Sequence, residues 1–98
     1  MADTPWKREE REIAEMFGGK RIPVLGGSDA DVLAPGWAVS VKKRKSLPKW
    51  LHESVQQIEA SEHTEFQVPI VVLSEVRQGA KPRRYVLMDL DTFREWYV

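Results

Sequence analysis

Glycine-containing turn signals follow one another so closely in the first third of the chain that only short helices and strands fit between them. They are Gly18-Gly19, Gly26-Gly27-Ser28 and Pro35-Gly36, and such groups end helices or turn the chain between strands. Thr4 and Pro5 form a helix start, with Thr4 at the N-cap and Pro5 at the first helical position. We therefore predict an amphipathic helix between Thr4 and Gly18, followed by short strands.

The rest of the chain alternates between strand and helix patterns. Three extended segments are predicted at Arg21–Leu25, Ala30–Ala34 and Trp37–Lys43. They are followed by a helical pattern over Leu47–Ala60, a continuous apolar run typical of a buried strand at Val68–Leu73, a strand at Arg84–Met88, and a short helix capped by Asp91 and running through Trp96. The order α-β-β-β-α-β-β-α predicts an α/β fold.

Length and composition indicate a folded globular protein and exclude several other classes. The 98 residues suit a single domain over residues 1–98, and 42% hydrophobic with 31% charged residues is the balance of a folded globular chain. Because cysteine is absent, disulfides and thiolate chemistry are excluded. The longest apolar run is far shorter than the ~20 residues of a membrane span. We expect a cytoplasmic protein that does not enter a membrane.

Glu10 is an unexpected residue for its position on the first helix. The apolar stripe of this helix consists of Trp6, Ile13, Ala14, Met16 and Phe17, and Glu10 lies about 40° from the centre of that stripe. An unpaired buried carboxylate is costly, so Glu10 is expected to have a cationic partner. That partner is a metal ion in one interpretation, and Arg11 or Lys42 in a buried salt bridge in the other.

Asp31 and Lys42 are two further candidate site residues, and each lies in a predicted strand. Asp31 stands in the apolar segment Ala30–Ala34, where an aspartate alone more often caps or kinks a turn than binds a metal. Lys42 lies on the polar face of Trp37–Lys43. If Glu10, Asp31 and Lys42 converge, the two acids offer hard oxygen ligands for Mg²⁺ or Mn²⁺, and the lysine stabilises charge at a phosphorus centre.

In their order along the chain, three short motifs resemble the PD-(D/E)XK nuclease superfamily. They are Glu10-Arg11-Glu12-Ile13, Asp29-Ala30-Asp31-Val32 and Val39-Ser40-Val41-Lys42. Within that superfamily the chain is most similar to small Holliday-junction resolvases of archaeal and phage type. The resemblance implies a restriction-endonuclease-like core with a central mixed sheet, and a homodimer that cuts branched or double-stranded DNA with Mg²⁺ or Mn²⁺. It also implies that Glu10, Asp31 and the backbone carbonyl of Val41 hold the metal, with Lys42 as the catalytic lysine.

Ser40 departs from the family pattern, because it occupies the position of the motif carboxylate and carries no charge. Three explanations are open: a protein that has lost activity, a hydroxyl or water-mediated ligand, or an acid recruited from elsewhere. Some type II restriction enzymes resemble the last case, and Glu53 is the candidate here, with Gln57 on the same flank of the second helix as a supporting residue. The alternative for Glu53 is an ordinary surface charge.

Basic side chains near these motifs are candidate phosphate contacts. They are Lys20, Arg21, Lys43, Arg44, Lys45 and Lys49. A run of this kind is often only a solvated face, but beside a nuclease-like site it would follow a DNA backbone. The function predicted from the sequence is therefore a structure-specific endonuclease impaired at Ser40, or alternatively a noncatalytic nucleic-acid-binding module that kept the fold.

Overall fold

The computed structural model describes residues 4–21 and 30–98, and these form two compact units. The first unit extends to Lys45 and the second is Ser46–Tyr97. The prediction of one domain over residues 1–98 stays a prediction. Among the described residues, no helix is long and apolar enough to cross a membrane.

The first unit consists of one helix and a small antiparallel sheet. Helix α1 is Pro5–Met16, and the strands are β1 (Lys20–Arg21), β2 (Val32–Ala34) and β3 (Trp37–Val39), in the order β1-β2-β3. Thr4 is the N-cap of α1 and its carbonyl accepts the Arg8 amide at 3.1 Å, so the predicted helix start is confirmed. The predicted strand residues 22–25 and the turn at 26–28 lie outside the described residues.

The apolar side chains of α1 pack on the sheet to form a small core. Ala14, Phe17 and Val32 are buried, and the rings of Phe17 and Trp37 meet edge to face with centroids 5.7 Å apart. Along β3 and beyond it, Trp37, Val39 and Val41 are half-buried, while the residues between them are exposed. The predicted alternation of an apolar and a polar face is therefore confirmed.

The prediction that the third strand extends to Lys43 is wrong, because β3 ends at Val39. The amide of Asp31 donates to the carbonyl of Val39 at 2.8 Å. The inward-facing Val41, two residues further on, donates its amide to the Asp31 carboxylate, which is a side-chain acceptor and not part of a regular strand pairing. Ser40 and Lys42 therefore lie in the segment that follows the strand.

Gly19 lies in close contact with the backbone of β2. A methyl group at this position would lie 2.3 Å from the Leu33 carbonyl oxygen and 2.6 Å from the Ala34 Cβ. We expect Gly19→Ala to lower the free energy of unfolding by about 2 kcal/mol, because the backbone of β2 must shift. Gly18→Ala is the control, since its Cβ meets open space and only the positive φ of 70° is strained, which costs about 1 kcal/mol. Urea unfolding of both variants tests the difference, and equal losses would contradict it.

The second unit consists of two helices and a hairpin. Helix α2 is Lys49–Ala60, strands β4 (Val71–Glu75) and β5 (Arg83–Leu87) pair antiparallel, and helix α3 is Leu90–Tyr97. Helix α2 begins two residues later than predicted, because Pro48 is its N-cap. With this unit the element order α-β-β-β-α-β-β-α and the mixed α/β class are confirmed. The described strands form two antiparallel sheets, whereas the resemblance implies one central mixed sheet.

Two local predictions for the second unit are wrong. The strand predicted at Val68–Leu73 begins at Val71 and is not fully buried, since Val72 is 58% exposed. A two-stranded hairpin has two faces, and here one face is exposed at both Val72 and its cross-strand neighbour Val86. The cap of α3 is Asp89 and not Asp91, because the Asp89 carboxylate accepts the Thr92 amide at 3.2 Å.

Candidate functional site

The first unit contains a cleft between the N-terminal half of α1 and the segment that follows β3. Its volume is about 340 Å³. The residues that line it are Trp6, Glu10, Val41, Lys42, Lys43 and Arg44. Trp6 and Glu10 are one helical turn apart, so both side chains lie on the same side of α1. The structure therefore brings together Glu10, Val41 and Lys42, three of the residues that the sequence assigns to one site.

Glu10 is buried and paired. Only 8% of the residue is exposed, and its Oε2 atom accepts a hydrogen bond from Nε of Arg21 at 2.5 Å. The Arg21 guanidinium carbon also lies 5.6 Å from the centre of the Trp6 ring. The cationic partner of Glu10 is thus Arg21 of β1, a residue that the salt-bridge interpretation does not name. The sequence assigns Arg21 to phosphate contact instead.

Asp31 holds the backbone at the edge of the cleft. Its Oδ2 atom accepts the Val41 amide at 2.5 Å. This is the turn-and-cap role that is the commoner one for a lone aspartate in a strand pattern. The same bond places the carboxylate beside the backbone of Val41, whose carbonyl is a predicted metal ligand.

Ser40 and Lys42 lie on either side of Val41 and are both exposed. The Ser40 hydroxyl is neutral and cannot contribute the charge of the motif carboxylate. Within residues 4–21 and 30–98, Lys42 has no ion-pair partner, so its ammonium group is available to an anion that enters the cleft. A free lysine at the cleft suits a phosphate oxygen.

The oxygen donors near the cleft are of the type that Mg²⁺ or Mn²⁺ prefers, but they include one carboxylate fewer than the family motif supplies. Glu10 and Asp31 supply carboxylates and Val41 supplies a carbonyl, which are hard donors of the type that Mg²⁺ prefers. In the part of the chain that the structure describes, no three acidic or histidine side chains form a metal-binding group. With serine at position 40, the motif supplies two acids, and each already accepts a hydrogen bond from the protein.

Glu53 and Gln57 belong to the second unit. Glu53 lies 3.4 Å from Nζ of Lys49, one helical turn away, and its side chain is 58% exposed. Gln57 is exposed on the same helix. This environment is that of the ordinary surface charge that the sequence leaves open as the alternative for Glu53, and Lys49 is its partner.

Of the other predicted phosphate contacts, some have protein partners. Lys43 lies 3.6 Å from the Glu9 carboxylate and bonds the Pro5 carbonyl at 3.4 Å, which ties the cleft wall to the start of α1. Arg44 donates to the Lys43 carbonyl at 2.9 Å. Lys20 and Lys45 are exposed, and among the described residues neither has an ion-pair partner.

The neutral net charge of the chain hides a difference between its two parts. Residues 1–45 contain nine Lys and Arg against seven Asp and Glu, whereas residues 46–98 contain six against eight. The ion pairs Arg21–Glu10 and Lys43–Glu9 each remove one cation and one acid, so they leave this surplus of two cations unchanged. The first part of the chain is therefore slightly basic and the second slightly acidic.

Sequence reasoning missed the role of Trp6. Its place in the apolar stripe predicts burial, yet the residue is 43% exposed and lines the cleft. The spacing of four residues between Trp6 and Glu10 is the signal that could have placed both at one site.

No protein-family model, curated protein or solved structure matches the chain significantly. The resemblance to PD-(D/E)XK nucleases therefore rests on the order of the three motifs and on the residues that meet at this cleft.

Proposed function

We propose that the chain is a metal-dependent endonuclease of the PD-(D/E)XK type that acts on branched DNA and whose cleavage step is impaired by Ser40. One observation carries the proposal. Glu10 and Lys42 line the same cleft although 31 residues separate them in the sequence, and Asp31 is hydrogen-bonded to the residue between Ser40 and Lys42. The three motif residues thus belong to one small region, as a nuclease site requires.

Each residue has a distinct role in this proposal. Glu10, Asp31 and the Val41 carbonyl would hold Mg²⁺ or Mn²⁺, which supplies a Lewis acid and lowers the pKa of a bound water. Lys42 binds the phosphate and stabilises the negative charge that develops on its oxygens. Ser40 leaves the metal site one carboxylate short, which weakens metal binding and slows cleavage.

The exposed cations of the first unit contact the DNA backbone. Lys42, Arg44 and Lys45 are exposed in the segment after β3, and phosphate contacts of this kind fix the position of a duplex without reading its sequence. The homodimer, the preference for a four-way junction and the restriction-endonuclease-like core with a mixed sheet follow from the resemblance. They form part of this proposal. The proposal also places the protein inside the cell, where such DNA occurs.

The Glu10–Arg21 ion pair favours a second candidate, a noncatalytic nucleic-acid-binding module. Arg21 neutralises the buried carboxylate without a metal ion, so the fold does not need one. In this candidate the cleft binds phosphates through Lys42 and Arg44, and the acids serve only to hold the backbone.

Binding of a fluorescent four-way junction at several salt concentrations tests the feature common to both candidates. We expect Lys42→Ala and Arg44→Ala each to weaken binding and to reduce the slope of log affinity against log salt by about one unit, since each removes one phosphate contact. Lys81→Ala is the matched control, because Lys81 is an exposed lysine of the second unit. An equal loss of affinity in all three variants would place the DNA elsewhere and contradict the proposal.

A further inference from the structure

Among the described residues that line the cleft, Trp6 is the one aromatic residue, beside Glu10, Val41 and three basic residues. The residue is 43% exposed, in the first turn of α1, and it lines the cleft together with Lys42 and Arg44. Removing an exposed indole from water is favourable, so a ligand that covers this ring gains affinity from it. Such a ligand needs a flat, apolar face beside a negative group.

The ring already attracts cations. Nζ of Lys7 lies 5.4 Å and the guanidinium carbon of Arg21 lies 5.6 Å from the centre of the Trp6 ring. The ion pair with Glu10 holds Arg21 in place, so the Arg21–Trp6 contact restrains the indole at the cleft. A restrained ring loses little conformational freedom when a ligand stacks on it.

We propose that Trp6 stacks on an unpaired nucleobase, with the adjoining phosphate bound by Lys42 and Arg44. This inference rests on the proposed nucleic-acid binding of the cleft and names the feature that it recognises: a single-stranded nucleotide in DNA. An aromatic side chain beside cations is the arrangement that binds single strands without reading their sequence, since every base has a flat face. In an intact duplex the base faces are covered by their neighbours.

The size of the cleft is compatible with this ligand. A volume of about 340 Å³ is at the lower end of the range for small-molecule sites, about 300–1,000 Å³. A space of this size is large enough for one base with its phosphate.

Fluorescence anisotropy with a short oligothymidylate and a blunt duplex of the same length tests the inference. We expect Trp6→Ala to weaken oligothymidylate binding about 10-fold, and Trp6→Phe to retain most of it. Duplex binding should change less than about 2-fold, because backbone contacts dominate it. Trp50→Ala is the matched control, since Trp50 is 52% exposed in the second unit.

The outcomes separate this inference from the function on which it rests. If Trp6→Ala and Trp50→Ala have equal effects, or if Trp6→Ala weakens single strand and duplex alike, the stacking role is overturned. The proposed function would still stand if Lys42→Ala weakened the binding of both DNAs. If the unchanged protein binds a four-way junction but not the oligothymidylate, the stacking role fails and the proposed function stands. If it binds none of the three DNAs, both fail. Circular dichroism of Trp6→Ala, compared with that of the unchanged protein, shows that the comparison is made on a folded protein.

Discussion

Ser40→Glu is expected to raise Mg²⁺-dependent cleavage of a four-way junction by about 100-fold or more, which is the scale of gain for restoring one charged group at a reaction centre. The new carboxylate would stand beside Val41, at the edge of the cleft that Glu10 and Lys42 line. A denaturing gel measures the product. Ser40→Gln is the control, because it has nearly the same size without the charge, and it should cut no better than the unchanged chain.

The remaining outcomes of this experiment distinguish the explanations for Ser40. A folded Ser40→Glu protein that binds a junction but cuts no branched DNA would contradict the nuclease and leave the binding module. Strong cutting by the unchanged chain would instead indicate an acid recruited from elsewhere. Glu53 is then the residue to test, and Glu53→Gln should abolish that activity.

Arg21→Gln is expected to cost about 3 kcal/mol of folding free energy, because removing one partner of a buried ion pair leaves a buried charge unpaired. The Glu10 side chain is 10% and that of Arg21 18% exposed, so the effect should fall at the lower end of the range for buried pairs, about 3–5 kcal/mol. The midpoint of urea unfolding measures it. Lys49→Gln is the matched control, since it breaks the exposed pair with Glu53 and should cost about 0.5 kcal/mol or less.

A double variant separates the pairing from the packing. Glu10→Gln in the Arg21→Gln background removes the unpaired charge and should recover much of the lost stability, since the remaining groups are neutral. Additive losses in the two single variants would show that Glu10 and Arg21 act independently, and would contradict the assignment of Arg21 as the partner of Glu10.

The structure of α1 could be predicted from the sequence because its determinants are local. Thr4, Pro5 and the two glycines after Phe17 mark the ends of the helix, and the spacing of its apolar residues sets the buried face. The same spacing shows that Glu10 is buried and needs a cation. The identity of that cation depends on how β1 packs beside α1, and local patterns do not contain that information.

The ends of the strands could not be predicted for a related reason. An alternating pattern continues from Trp37 to Lys43, but β3 ends at Val39, and the Val41 amide donates to the side chain of Asp31, ten residues away in the sequence. The apolar run before Leu73 predicts burial, whereas exposure of Val72 depends on how many layers cover the hairpin. Tertiary pairing decides both features.

We propose that nucleic acid binds in the cleft of the first unit. Titrating the isotope-labelled protein with a four-way junction and recording two-dimensional amide spectra locates the binding surface residue by residue. We expect the amide signals of Val41, Lys42 and Arg44 and the indole signal of Trp6 to shift together as DNA is added. Shifts confined to Ser46–Tyr97, or none at concentrations where the junction is bound, would contradict the claim.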